Sequence, residues 1–279
     1  VDAALKRARA FFDRRCRGAG QSAACAARLT ADLEGAGIGA ADVVIEAIVE
    51  KAEAKRALYR EIEPRLKAGA LLATNTSSLV LEELATGLAE PGRLVGLHFF
   101  NPVSRMMLVE IVRGAATREG AAEDAAAFAR RLDRLPLPCR SAPGFAVNRV
   151  LMAYMSEAMH AAAEGVPLPT IDRAANDFGM PMGPVELADT VGLDVALHVG
   201  RILAEAFGRD PPQGIEPLVA AGHLGRKSGR GLYEWRDGKP VKAAAGPVPA
   251  DLQDRLVLQF VNEAVARPRE GVVADAGLL

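Results

Sequence analysis

The chain has 279 residues, half of them hydrophobic and a quarter charged, with a formal net charge of -1. That length supports a real core in one large or two ordinary domains, and the balanced charge lacks the basic footprint of nucleic-acid binding. No signal-like apolar segment opens the chain and no run of about 18 apolar residues occurs, so neither export nor a membrane span is expected. The three cysteines, Cys16, Cys25 and Cys139, are odd in number and fit no metal spacing. They point to a reducing compartment, the cytoplasm, and to no metal site.

In chain order, residues 1–28 read as helix, with Leu5, Ala8 and Phe12 at helical spacing. LTADLEG (29–35) reads as a short strand and turn. DVVIEAIVE (42–50) is apolar on both faces, as a buried parallel strand is, and ends on Glu50. Residues 51–68 form a helix that Pro64 kinks or splits. ALLATNTSS (70–78) is a second buried strand, LVLEELATGL (79–88) a helix, RLVGLHFF (93–100) a third strand and MLVEIVRG (107–114) a fourth. Helix 119–135 and a short strand, 136–140, close this half. Strands alternating with helices imply βαβ crossovers and a mainly parallel sheet with helices on both faces. Ligands of such sheets sit outside the carboxyl ends of the strands, where Glu50, Asn75–Ser78 and His98–Pro102 all fall.

After SAPGF the pattern becomes helical with Gly and Pro breaks, and Pro184 opens one of the helices. GRKSGRGLYEW (225–235) is a glycine-rich basic turn, KAAAGPVPA (242–250) a linker, and 251–270 another amphipathic helix. The expected division is 1–140 for the sheet domain, 141–241 for a helical domain and 242–279 for linker and tail.

The chemistry centres on HFFNPVSRMMLVE (98–110). A histidine at a strand end with a glutamate on the neighbouring strand makes a general base and its orienter. A structural histidine with an edge-strand carboxylate is an equally weighted reading of His98 and Glu110 on spacing alone. Ser77, in NTSS, either orients a substrate oxygen or serves with Ser78 as a helix N-cap completed by Glu82. Glu50 either accepts from a ribose hydroxyl or sits as a first-turn carboxylate favoured by the helix dipole. Lys55 bridges to Glu50, to a phosphate or simply to solvent. Asn148 either faces a cleft or caps a helix. No GxGxxG occurs anywhere in the chain.

Together ADVVIEAIVE, LLATNTSS, GLHFFNPVSRMMLVEI, PGFAVNRVL and GMPMGPVELADTVGLD, with GRKSGRGLYEW after them, closely resemble the L-3-hydroxyacyl-CoA dehydrogenase family over about residues 1–240. The resemblance implies a Rossmann-like α/β domain followed by an all-α domain, and oxidation of L-3-hydroxyacyl-CoA by NAD in fatty-acid β-oxidation. It makes His98 the general base and Glu110 its partner. It assigns Ser77 and Asn148 to the reacting oxygen and substrate, and Glu50, Lys55 and Asn101 to the nicotinamide-ribose side of the cofactor. It implies an acyl-CoA partner and a homodimer, and allows a complex with a thiolase.

RMMLVE is similar to the multifunctional β-oxidation proteins, where monofunctional members carry Lys in place of Met107. The tail resembles the start of a second helical copy found in those multifunctional chains. The family's domain opens with a strand, the glycine-rich loop, a helix and a second strand, all of which would precede residue 1. The chain is therefore expected to be an excerpt with weakened NAD affinity. A stand-alone 3-hydroxybutyryl-CoA dehydrogenase and an inactive helical assembly or acyl-CoA-binding module are the alternatives.

Overall fold

The computed structural model describes residues 1–208 and 210–278. Two helices, α1 (Asp2–Arg15) and α2 (Ala19–Ala26), stand where one was expected. Gly18, at φ +108, breaks them in a conformation that glycine alone adopts without strain. The expected strand at 29–35 does not form. Among the described residues no strand lies beside it, and an unpaired strand leaves its backbone groups without ladder partners.

The sheet carries β1 (Val43–Glu46), β2 (Leu71–Thr74), β3 (Leu94–Phe99), β4 (Leu108–Arg113) and β5 (Leu135–Arg140) in that spatial order. All neighbours are parallel except β3 and β4, which are antiparallel. Antiparallel neighbours need no crossover helix, and the short loop between Phe99 and Leu108 suffices. The first strand is shorter than the sequence suggests: Glu46 ends it and Glu50 lies in the following loop.

Side chains alternate between faces along each strand. Leu71, Ala73, Val95, Leu97, Val109 and Ile111 pack under α5 (Glu119–Arg131) through Ala121, Ala125, Ala126 and Ala129. On the other face Leu72, Leu94, Val112 and Leu137 meet Tyr59 and Ile62 of α3 (Ala52–Ile62) and Leu81 and Leu84 of α4 (Leu81–Ala85). Pro64 ends α3 in a short 3-10 turn at Glu63–Arg65.

The helical half comprises α6 (Val147–Ala163), α7 (Leu168–Phe178), α8 (Pro184–Val191), α9 (Leu193–Phe207) and α10 (Glu216–Ala220). A hairpin, β6 (Glu234–Arg236) with β7 (Lys239–Val241), follows the glycine-rich turn. The last long helix, α11 (Leu252–Arg269), buries Leu252 and Leu256 in the core shared with α6 and α9. The residues after it return to the sheet, where the Arg140 N–H donates to the Val272 carbonyl at 2.7 Å and Val272 and Val273 join the sheet core. Among the described residues no helix is long and apolar enough to cross a membrane.

Candidate active site

The antiparallel register places His98 directly opposite Glu110. Two residues earlier in β3, Gly96 faces Val112, and a Cβ on Gly96 would fall 2.6 Å from that of Val112. The missing side chain lets the strands close at the base of the pair. His98 Nδ1 lies 2.6 Å from Glu110 Oε2, and both side chains are buried. The second oxygen, Oε1, accepts from the N–H groups of Ala146 and Val147 at 2.9 Å each. Orphan N–H groups at the start of α6 thus find their acceptor in a carboxylate from the sheet. Phe145 and Phe100 flank the imidazole, with ring centroids 5.8 and 4.5 Å away. Phe145 follows Gly144, whose φ is +69 and where a Cβ would fall 2.9 Å from Leu203 Cδ2. Glu110 fixes Nδ1 as the protonated nitrogen, so Nε2 is the basic one. Nε2 makes no hydrogen bond among the described residues.

A second buried carboxylate lies at the end of β1. Glu46 accepts from Lys55 Nζ at 2.7 Å, from Tyr59 OH and Thr74 Oγ1 at 2.8 Å, and from the Ile48 N–H at 2.7 Å. Burial, with the Glu46 charge beside it, pushes the Tyr59 phenol well above its ordinary range, so it remains a donor. Lys55 also reaches Glu50 Oε2 at 3.3 Å. Its side chain is only 1% exposed, so it acts on the cleft through Glu50 rather than by touching a phosphate. Glu50 Oε1 accepts from Thr76 Oγ1, the Ser77 N–H and Ser78 Oγ. Burial would raise the Glu50 pKa, but those hydrogen bonds and the Lys55 charge outweigh it and hold it below the usual value.

Neither serine caps a helix. The next helix begins at Leu81, and Glu82 instead accepts from the Ala115 N–H and Ser141 Oγ. Asn148 is not a cap either: its Nδ2 donates to the Ser77 carbonyl at 2.9 Å, tying α6 to the NTSS turn. Asn75 Oδ1 accepts from the Phe99 N–H at 3.0 Å, tying the same turn to β3 beside His98.

A cavity of about 380 Å³ opens between the two halves. Ala47, Ile48, Glu50, Asn75, Ser77 and Ser78 form its sheet wall, and Asp194, Val195, His198 and Val199 of α9 its helix wall. Of the expected site residues, Glu50 and Ser77 line it. Asn148 and Lys55 bond to those two, and His98 and Glu110 are not among the lining residues. Asn101 is exposed in the loop after β3 and does not join the cavity wall. Sequence reasoning missed Glu46, although a carboxylate inside VVIEAIV carries the same signal that singled out Glu110. It also missed Asp194 and His198, which reach the cleft only through the packing of α9.

Residues 2–142 match the family described as 3-hydroxyacyl-CoA dehydrogenase, NAD binding domain, and residues 144–235 match its C-terminal domain. A fatty acid oxidation complex subunit alpha of Psychrobacter sp. (strain PRwf-1) is 37% identical over 270 residues, covering 88% of this chain and 38% of that protein. The corresponding subunit of Pseudomonas entomophila is 39% identical over 248 residues, covering 86% and 33%. The chain therefore spans little more than a third of these curated relatives. Among solved structures, 3-hydroxybutyryl-CoA dehydrogenase from Escherichia coli K12 superposes with a TM-score of 0.79 at 36% identity, covering 90% of this chain and 55% of that one. FadB2 of M. tuberculosis gives 0.76 at 33%, covering 84% of both chains. These matches, spread over both halves and the cleft between them, make the chain a member of the 3-hydroxyacyl-CoA dehydrogenase family.

Proposed function

We propose that the chain carries out oxidation of L-3-hydroxyacyl-CoA thioesters to 3-ketoacyl-CoA with NAD. The carrying observation is the His98–Glu110 pair, with the far oxygen of Glu110 held by the first two N–H groups of the helical half. Nε2 takes the proton from the substrate's 3-hydroxyl as the C3 hydride leaves. Glu110 stabilises the resulting imidazolium and keeps the ring from turning. The Ser77 hydroxyl, whose backbone is fixed by Glu50 and Asn148, orients the reacting oxygen.

The donor and acceptor set at the cleft suits the nicotinamide end of NAD: Glu50 offers a carboxylate to ribose hydroxyls and Asn75 an amide to the carboxamide. When bound, NAD supplies the hydride acceptor. Asn101, in the exposed loop after β3, belongs to the same cofactor reading. Among the described residues no glycine-rich strand-to-helix turn offers a pyrophosphate cradle.

The multifunctional relatives and the Met107 position favour a role in fatty-acid β-oxidation over a stand-alone 3-hydroxybutyryl-CoA dehydrogenase. A homodimer, association with a thiolase and a cytoplasmic setting belong to the same reading. So does the division at residues 140 and 241, which follows the change from sheet to helices and the end of β7. His98→Gln is expected to lower kcat for L-3-hydroxyacyl-CoA by two or more orders of magnitude, measured as NADH formation. A near-wild-type rate would remove the assignment. Acyl-CoA binding without any turnover by the wild type would favour the inactive binding module.

A further inference from the structure

The polar groups of the cleft divide into committed and uncommitted. Glu50 is held by Thr76, Ser77, Ser78 and Lys55, and the Ser78 hydroxyl is used in doing so. Asn75 Oδ1 is taken by the Phe99 N–H. Asp194, the carboxylate of the helix wall, has both oxygens bound by Lys227 Nζ of the glycine-rich basic turn. Each acid facing the cavity is thus engaged by a lysine, Asp194 by Lys227 and Glu50 by Lys55, which Glu46 shares. Among the described residues, what remains is the Ser77 hydroxyl and the Asn75 amide N–H on the sheet wall, and the His198 imidazole on the helix wall. His198 makes no hydrogen bond, ion pair or ring contact among them.

Most of α9 is core: Leu193, Ala196, Leu197, Val199, Gly200, Leu203 and Ala204 are buried. Val195, at 39% exposure, and His198 are exposed, one turn apart, and both line the cavity. An exposed histidine on an amphipathic helix is ordinarily a solvated residue on the polar face. Here the space it borders is the cleft, whose wall also includes the exposed Val195 one turn earlier and the edge of the largely buried Val199. One hydrogen-bonding ring beside two apolar side chains suits a ligand that is mostly apolar with a carbonyl along its length.

We infer that His198 is a substrate-binding residue, donating an imidazole N–H to a carbonyl of the acyl-thioester and pantetheine arm across the cleft from Ser77. Val195 and Val199 pack along that arm. This assignment rests on the acyl-CoA reading above, and it gives the helical half a direct grip on the ligand that the sheet half would oxidise.

The test is His198→Ala and His198→Gln in the full chain. Rates with saturating NAD are expected to show a KM for the acyl-CoA at least tenfold higher in His198→Ala. kcat should stay within threefold and the KM for NAD within twofold, with partial recovery in His198→Gln. Calorimetric binding of acetoacetyl-CoA without NAD should weaken by the same factor. Repeating the rates with an N-acetylcysteamine thioester separates the two carbonyl sources. A penalty that persists places the contact at the thioester or the amide next to it, and one that vanishes places it on the distal pantetheine amide. An acyl-CoA KM and Kd within twofold of wild type would overturn the inference and leave the dehydrogenase reading standing. Wild-type chain that turns over no 3-hydroxyacyl-CoA would remove that reading instead, and the calorimetric comparison then decides His198 alone. Thermal melting monitors the fold, and if His198→Ala melts early, His198→Gln carries the comparison.

Discussion

At the residue scale the site depends on carboxylates whose oxygens are all engaged. Glu110 is fully buried and holds three donors, His98 Nδ1 and two N–H groups of α6. Glu110→Ala leaves all three without that partner, so a loss of about 3 kcal/mol is expected, alongside a fall in kcat. Urea denaturation followed by circular dichroism measures the first. A loss of activity with unchanged stability would mean that the pair does not anchor the helical half. Glu50 gives a pH signature. Its folded pKa lies below the unfolded value, so its contribution to stability is full above the ordinary carboxylate range and lost as pH falls through the folded pKa. Glu50→Gln is expected to flatten the decline in stability below about pH 4, read from urea midpoints at successive pH values. The sequence singles out His98, Ser77, Glu50 and Asn148 as polar residues near strand ends or a helix start, and Glu110 as a carboxylate inside an apolar strand. Their partners are less legible: an N-cap and a hydrogen bond across the cleft look the same for Ser77 and Asn148 until the start of α4 is fixed at Leu81.

At the element scale, periodicity located most strands and helices, because each is decided by its own apolar pattern. It failed where a neighbour decides: 29–35 has strand composition but no ladder partner, and 47–50 leaves the sheet because Glu46 turns back to bind its own Ile48 N–H. The basic turn is another example. GRKSGRGLYEW is a glycine-rich basic turn, and its main attachment is to a buried acid. Asp189 accepts from the Leu232 and Tyr233 N–H groups and from Trp235 Nε1. Gly231 packs so closely on Asp189 that a Cβ there would overlap the carboxylate. Asp189→Ala leaves those donors buried without an acceptor and is expected to cost about 3 kcal/mol. Trp235 is the chain's one tryptophan, so its fluorescence reports directly on this detachment. An unchanged emission maximum and unfolding midpoint would refute the clamp.

At the scale of the whole molecule, α11, the amphipathic helix expected at 251–270, packs into the core shared with α6 and α9. It buries Leu252 and Leu256 and supplies Glu263, whose Oε2 lies 2.8 Å from Nε of the buried Arg149 at the start of α6. Arg149 in turn lies 3.5 Å over the Phe207 ring. A chain ended after residue 241 would leave that guanidinium without its carboxylates, and a loss of at least about 3 kcal/mol is expected, measurable as a lower urea midpoint. Stability equal to that of the full chain would show α11 to be an independent appendage.

The placement of Glu110 also bears on the order of events during folding. One of its oxygens serves the strand beside it and the other serves a helix that starts 37 residues later. The sheet alone can bring His98 and Glu110 face to face, but the carboxylate still has a free oxygen and room to rotate. Only when the helical half has docked does it lose that freedom and hold the imidazole in a single orientation. A half-assembled chain would therefore hold a histidine whose ring orientation is not yet fixed, and that orientation is set only when the helical half has docked.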